Sequence, residues 1–200
     1  MTLFVFAGPN GSGKSTLVNI FLNELKHQGL PYICPDASFS FLYPNPPSDS
    51  IAYRQCYIEA MVHSESLRRR LLNNGDDFAF ETVFSTIEKV DFLREAKKKG
   101  YLLSVSFVTT DDPNINIDRV AKRVEQGGHD VPADKIIQRY HRSMELLRYL
   151  FELADELSVY DNSAARYRLV YQHSAASYYF NPKFVRKKWV RQYLVPYMQY

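Results

Sequence analysis

Hydrophobic positions along this chain alternate between two periods. The run Leu3, Phe4, Val5, Phe6 and Ala7 is unbroken, short and rich in aromatic residues, which predicts a buried strand. Leu17, Ile20, Phe21 and Leu25 then recur at helical spacing, predicting a helix from Lys14 that Gly29 stops. Tyr32 to Cys34 reads as a short strand, and Pro35-Asp36 lead into a loop where Pro44, Pro46 and Pro47 exclude regular structure. A helix of weaker periodicity follows from about Asp49 to Asn74, closed by Asn74-Gly75. Phe78-Ala79-Phe80 forms a buried strand ending at Glu81, a helix spans about Thr86 to Lys99, and Tyr101 to Val108 is the strongest strand.

Helical spacing returns from Pro113 to Gln126, breaks at Gly127-Gly128 and restarts after Val131-Pro132. The restarted helix carries the stripe Ile136, Tyr140, Met144, Leu147, Phe151 and Ala154. Leu157 to Tyr160 gives another strand ending at Asp161-Asn162-Ser163, and Arg168 to His173 with Ser177 to Phe180 can close as a hairpin. Strands alternating with helices of this length predict an α/β fold, a three-layer sandwich with a mainly parallel central sheet. Ligands in such a fold bind outside the carboxyl ends of the strands. That rim collects the segment after Ala7, Asp36, Glu81, Thr109 to Asp111 and Asp161-Asn162-Ser163.

Length and charge change this picture little. Two hundred residues suit one domain, residues 1–200, with a core over 1–165 and a C-terminal hairpin and helix over 166–200. A net charge of +3 with 46% hydrophobic residues calls for neither a nucleic acid nor a membrane as partner. No apolar run approaches the roughly 18 to 20 residues of a membrane span, and no secretory signal precedes the first helix, so the cytoplasm is the expected location. Cys34 and Cys56 lack C-x-x-C spacing and the histidines are scattered, which argues against a disulfide framework or a zinc site. From Ser177 onward, Lys183, Arg186, Lys187, Lys188 and Arg191 are interleaved with aromatics and no acid. An amphipathic terminal helix with a solvated basic face is expected there, a nucleic-acid surface being the alternative.

The rim carries the candidate chemistry. Gly8-Pro9-Asn10-Gly11-Ser12-Gly13-Lys14-Ser15-Thr16 is a complete G-x-x-x-x-G-K-[S/T] phosphate loop between a strand and a helix. Its glycines let backbone N–H groups converge on phosphate oxygens, Lys14 reaches the β and γ phosphates, and Ser15 ligates Mg2+. Pro9 through Thr16 are therefore the expected nucleotide-binding residues. Asp36, some twenty residues on, is either a base that accepts a hydroxyl proton or an Asx-turn residue after Pro35. Glu81 can hold Mg2+ through water or meet the acceptor, or else Glu81 or Thr82 caps the next helix. Arg119 and Arg123 lie four apart and Arg139 and Arg142 three apart, on either side of Gly127-Gly128-His129, as two cationic faces of a hinged lid. Arginine from such a lid neutralises charge on a transferring phosphoryl group. Arg119 and Arg142 are expected to be solvated, and Lys97 to Lys99 to complement a helix dipole.

This ordered set, the phosphate loop, Asp36, Phe78-Ala79-Phe80-Glu81-Thr82, Arg119-Val120 through Arg123-Val124-Glu125-Gln126-Gly127-Gly128-His129-Asp130-Val131-Pro132 to Arg139-Tyr140, and Asp161-Asn162-Ser163, resembles the zeta-toxin family of phosphate-loop kinases. The resemblance implies a P-loop NTPase fold with a helical, Arg-bearing lid. It also implies transfer of phosphate from ATP or GTP, with Mg2+, to the 3′-hydroxyl of UDP-N-acetylglucosamine. Asp36 becomes the catalytic base, Lys14 and Ser15 the phosphate and Mg2+ ligands, and Arg123 and Arg139 the stabilisers of transferring charge. Glu81 and Thr82 fall on the substrate side, Glu81 also within reach of the metal, and Asp161-Asn162-Ser163 near the nucleotide base. Family toxins meet an antitoxin through a helical extension ahead of the loop; here the loop opens at Gly8, which weakens the expectation of that partner. Cys34 replaces an Asn common in short members, Gln55-Cys56-Tyr57 an Ala-Gly-Arg run, and Glu81-Thr82-Val83-Phe84-Ser85 the usual Glu-Thr-Thr-Leu-Ser. These departures fall on the acceptor side and leave two alternatives: another hydroxyl acceptor such as an antibiotic, or a nucleotide-dependent NTPase that uses the basic tail on nucleic acid.

Overall fold

A computed structural model describes residues 1–24, 27–126, 128 and 130–198. The elements in chain order are β1 (Thr2–Ala7), α1 (Lys14–Leu22), β2 (Tyr32–Ile33), α2 (Pro35–Leu42), α3 (Ser50–Asn74), β3 (Phe78–Thr82) and α4 (Ile87–Lys98). There follow β4 (Leu102–Thr109), α5 (Pro113–Glu125), α6 (Ala133–Leu153), β5 (Glu156–Asp161), β6 (Arg168–His173), β7 (Tyr178–Phe180) and α7 (Lys188–Tyr193). The strands form one seven-stranded sheet in the order β2-β3-β1-β4-β5-β6-β7. Pairs among β1 to β5 are parallel, and β6 and β7 add an antiparallel edge.

β1 is central, with Val5 beside Phe80 on one side and Val105 on the other. Its unbroken apolar run follows from burial on both faces. Leu3, Val5 and Ala7 join the main core with residues of α4, α6 and α7, while Phe4 and Phe6 face α1 through Val18 and Phe21. α5 and α6 pack on each other through a separate small cluster of Val120, Val131 and Ile136, with Ile117 and Val124 against it. α3 buries only Ala60, Ser64, Arg68 and Leu72, two of them polar, which is why its periodicity is weak. The Ser64 hydroxyl donates to Ser38 Oγ at 2.7 Å, and the Arg68 guanidinium lies 5.0 Å from the Phe80 ring centre.

The structure departs from expectation at two elements. α2 replaces the loop expected after Asp36: Pro35 occupies the first turn, where its missing N–H costs nothing, and Cys34 Sγ accepts from the Ala37 N–H at 3.3 Å as N-cap. α1 ends at Leu22, short of Gly29, and His27 instead stacks on Phe21 with ring centres 3.7 Å apart; Leu25 lies outside the described residues.

The C-terminal segment is built into the main core. Phe184, Trp189, Val190, Leu194 and Met198 belong to it, while Lys183, Arg186, Lys188 and Arg191 are exposed. Trp189 Nε1 donates to Asp111 Oδ1 at 2.8 Å, and Lys187 pairs with the same carboxylate. Two of the residues that made the tail resemble a nucleic-acid surface are therefore engaged at the end of β4. Among the described residues no helix is long and apolar enough to cross a membrane.

Candidate active site

The rim at the carboxyl ends of β1, β3 and β4 is built outward from the loop between β1 and α1. Three loop carbonyls accept from side chains outside it: Asn10 from Asn116 Nδ2, Ser12 from Asn162 Nδ2 at 2.8 Å, and Gly13 from the Tyr167 hydroxyl at 2.7 Å. In a planar trans peptide an outward carbonyl turns the following N–H inward. The N–H groups of Gly11, Gly13 and Lys14 thus point away from these three side chains, which leaves them to meet a phosphate oxygen. Gly13 permits the clamp: its φ is +99°, and a Cβ there would lie 2.4 Å from Asn162 Nδ2.

Lys14 is buried, and its Nζ donates to the Pro9 carbonyl at 2.9 Å. Burial lowers its pKa, opposed by the negative charge of Glu81; Arg123 adds to the lowering and Asp36 opposes it. Four chain-distant groups of the expected site thus share one electrostatic neighbourhood. Ser12 is fully buried and Thr16 exposed, and Asn10 Oδ1 and Ser12 Oγ are buried without a hydrogen-bond partner.

On the other side of Lys14, the Ser15 hydroxyl donates to Glu81 Oε2 at 2.8 Å. Burial, then the nearby charge of Glu81, pushes the Tyr32 phenol far above its usual pKa. Asp36 stands exposed in the first turn of α2, and the Tyr57 hydroxyl of α3 donates to its Oδ1 at 2.9 Å. Thr82, expected to meet substrate, is buried instead, and its Oγ1 accepts from the Phe84 N–H at 3.3 Å. That bond supports Phe84 at φ 53°, a left-handed conformation costly for a bulky residue.

The arginines divide unevenly. Arg123 carries a charge that bears on both Lys14 and Tyr57. The chain turns back behind it: the Gly128 N–H donates to the Arg123 carbonyl at 2.9 Å, and a Cβ at Gly128 would lie 2.6 Å from Arg123 Cγ. Gly127 and His129, the rest of the expected hinge, lie outside the described residues. Arg139 is half-buried on α6, one turn before Ser143, whose hydroxyl donates to the Val83 carbonyl just past β3. Arg142 is exposed as expected, but Arg119 is not simply solvated: its Nη2 donates to the Asn162 carbonyl at 2.8 Å, and its Nη1 is buried. Asn162 sends its side chain into the loop clamp, and Asp161 is fully buried against Arg168 at 2.7 Å.

Asn116, Tyr167 and Tyr32 were not anticipated from the sequence, and Tyr57 only as part of the acceptor-side departure Gln55-Cys56-Tyr57. Asn116 left one signal: it lies four residues before Val120, a polar residue on the buried face of α5. Tyr167 and Tyr32 left none, because they meet the site only through the tertiary fold.

The Zeta toxin family model matches residues 2–174. An uncharacterized protein of Haemophilus influenzae is 26% identical over 135 residues, covering 68% of this chain and 89% of that protein. The crystal structure of AvrRxo1-ORF1:-ORF2 with ATP superposes with a TM-score of 0.71 at 14% identity, over 94% of this chain and 62% of the other. This chain thus spans about three fifths of that relative's length. The toxin–antitoxin system PezAT of Streptococcus pneumoniae superposes with a TM-score of 0.63 at 21% identity, over 88% of this chain and 75% of the other. With the match running from β1 through β6, and with the P-loop kinase architecture in place, the chain belongs to the zeta-toxin family.

Proposed function

We propose that this protein is a kinase that moves the γ-phosphoryl group of ATP or GTP onto a hydroxyl of a small molecule, the 3′-hydroxyl of UDP-N-acetylglucosamine being the first acceptor to test. The observation that carries this reading is the Ser15 hydroxyl of the phosphate loop bonded to Glu81 at 2.8 Å, with the charges of Asp36 and Arg123 also bearing on Lys14. A phosphate loop alone serves any nucleotide-binding protein. A carboxylate on the acceptor side together with arginine from the lid helices is what phosphoryl transfer to an alcohol requires.

In this reading the N–H groups of Gly11, Gly13 and Lys14 bind the phosphates, and Lys14 holds charge on the β and γ oxygens. Asp36 takes the hydroxyl proton as the acceptor oxygen bonds to the γ-phosphorus and the bond to the β–γ bridging oxygen breaks. The electron pair of that bond leaves with the nucleoside diphosphate. Arg123, and Arg139 from α6, offset charge gathering on the transferring oxygens, an effect worth about 10³ to 10⁵ in related chemistry. The Ser15 hydroxyl and Glu81 carboxylate are two hard oxygen donors 2.8 Å apart beside the loop, a set that fits Mg2+ completed by phosphate and water oxygens. When bound there, Mg2+ withdraws charge from the phosphates.

One observation favours a second acceptor class, such as an antibiotic hydroxyl. The wall beside Asp36 is aromatic, with Phe39 packed on Tyr57 and Tyr53 at ring-centre distances of 5.6 and 4.9 Å. The test is to incubate the protein with γ-labelled ATP, Mg2+ and a panel of nucleotide sugars and hydroxylated antibiotics, then weigh the products. A labelled organic phosphate supports the kinase reading and names the acceptor; label confined to inorganic phosphate across the panel contradicts it.

A further inference from the structure

Asp36 is exposed on the opening turn of a short helix, where a carboxylate ordinarily turns freely about its side-chain bonds. A base that works in one orientation loses rate to that freedom, because the reacting oxygen must be found again at each turnover. Here one oxygen is held. The Tyr57 hydroxyl reaches Asp36 Oδ1 at 2.9 Å, from the N-terminal third of α3, a helix of 25 residues and the longest in the described structure. The Tyr57 ring is seated against Phe39 of α2, so the hydroxyl is fixed relative to the helix that carries Asp36.

We propose that Tyr57 is a positioning residue for the transfer step: its hydroxyl fixes Asp36 Oδ1 and leaves Oδ2 to receive the acceptor's proton. This rests on the reading of Asp36 as the base. Burial, then the adjacent Asp36 charge, pushes the Tyr57 phenol well above its usual pKa, which keeps the hydroxyl protonated as a donor. The other charged and titratable groups around this pair are Lys14 of α1, Cys34 at the end of β2, Glu81 of β3 and Arg123 of α5. Tyr57 differs from them in meeting Asp36 through a neutral hydroxyl. It orients the carboxylate without offering a second charge to the phosphates.

The test is Tyr57→Phe, which keeps the ring on Phe39 and removes only the donor. Transfer of label from γ-labelled ATP is followed to UDP-N-acetylglucosamine and to water, and the rate is read on whichever acceptor the wild type uses. The expected result is a kcat lower by about ten- to a hundredfold, the scale of one hydrogen bond to a charged group. The KM for ATP and the melting temperature stay at wild-type values. In an Asp36→Asn background the same substitution costs less than about twofold, because the group it positions has lost its function. An unchanged kcat in Tyr57→Phe overturns the proposal, as does a loss of equal size in the Asp36→Asn background. If Asp36→Asn alone keeps wild-type transfer, the assignment of the base fails first, and that outcome is distinct from a silent Tyr57→Phe beside an inactive Asp36→Asn.

Discussion

Lys14 links the loop's geometry to a measurable proton. Burial lowers its pKa below the ordinary 10.5, so in the free protein it releases its proton at lower pH than a solvated lysine. Triphosphate favours the charged form and raises that pKa again. Between the two values binding takes up a proton, and affinity falls as pH rises through the free protein's lowered value. Titration calorimetry in buffers of different ionisation enthalpy should therefore detect proton uptake on ATP binding at alkaline pH, and none in Lys14→Met, whose affinity is also weaker. Equal proton uptake in both proteins, or none in the wild type, would contradict the assignment. Lys14, Ser15 and Asp36 were legible in the sequence because a phosphate loop and a strand end fix where they stand. Thr82 was not: which way its hydroxyl turns depends on the left-handed Phe84 two residues later, and no local pattern marks that backbone.

The loop's shape depends on elements far from it in sequence. Asn116 on α5, Asn162 after β5 and Tyr167 before β6 hold its carbonyls outward. Each bond is worth about 0.5 to 1.5 kcal/mol, so Asn162→Ala or Tyr167→Phe should weaken ATP binding about threefold to tenfold, measured by fluorescence or calorimetry. The fold should stay intact; an unchanged affinity would mean that the loop holds its shape without them. At this scale the sequence announced the order of strands and helices and nearly every boundary from α3 to β7, because Gly75, Gly100 and the prolines punctuate strong hydrophobic periods. It did not announce α2. A cysteine cap and Pro35 at the first turn open that helix, and the prolines after it made the whole segment read as loop. Nor did it show that Arg119 is anchored to the Asn162 carbonyl, since helical spacing places a residue on a face without saying what that face meets.

Across the whole molecule, the C-terminal segment ties the antiparallel edge back to the centre of the sheet. Trp189, 4% exposed, fills the main core and caps Asp111 at the end of β4, so Trp189→Ala should cost about 3 to 5 kcal/mol of stability in urea unfolding. A cost below about 1 kcal/mol would show that the tail packs without supporting the core. On the same rim Ser15 of the loop bonds to Glu81, and the charges of Asp36 and Arg123 bear on Lys14; the proposed reading of the protein as a kinase rests on that arrangement. The direct test is to follow the label of γ-labelled ATP in the wild type and in Asp36→Ala, with ATP affinity measured alongside. Labelled organic product is expected from the wild type, with a loss of about 10² to 10⁴ in Asp36→Ala and ATP affinity within a few-fold of wild type. Wild-type transfer by Asp36→Ala, or loss of ATP binding together with transfer, would contradict the kinase reading.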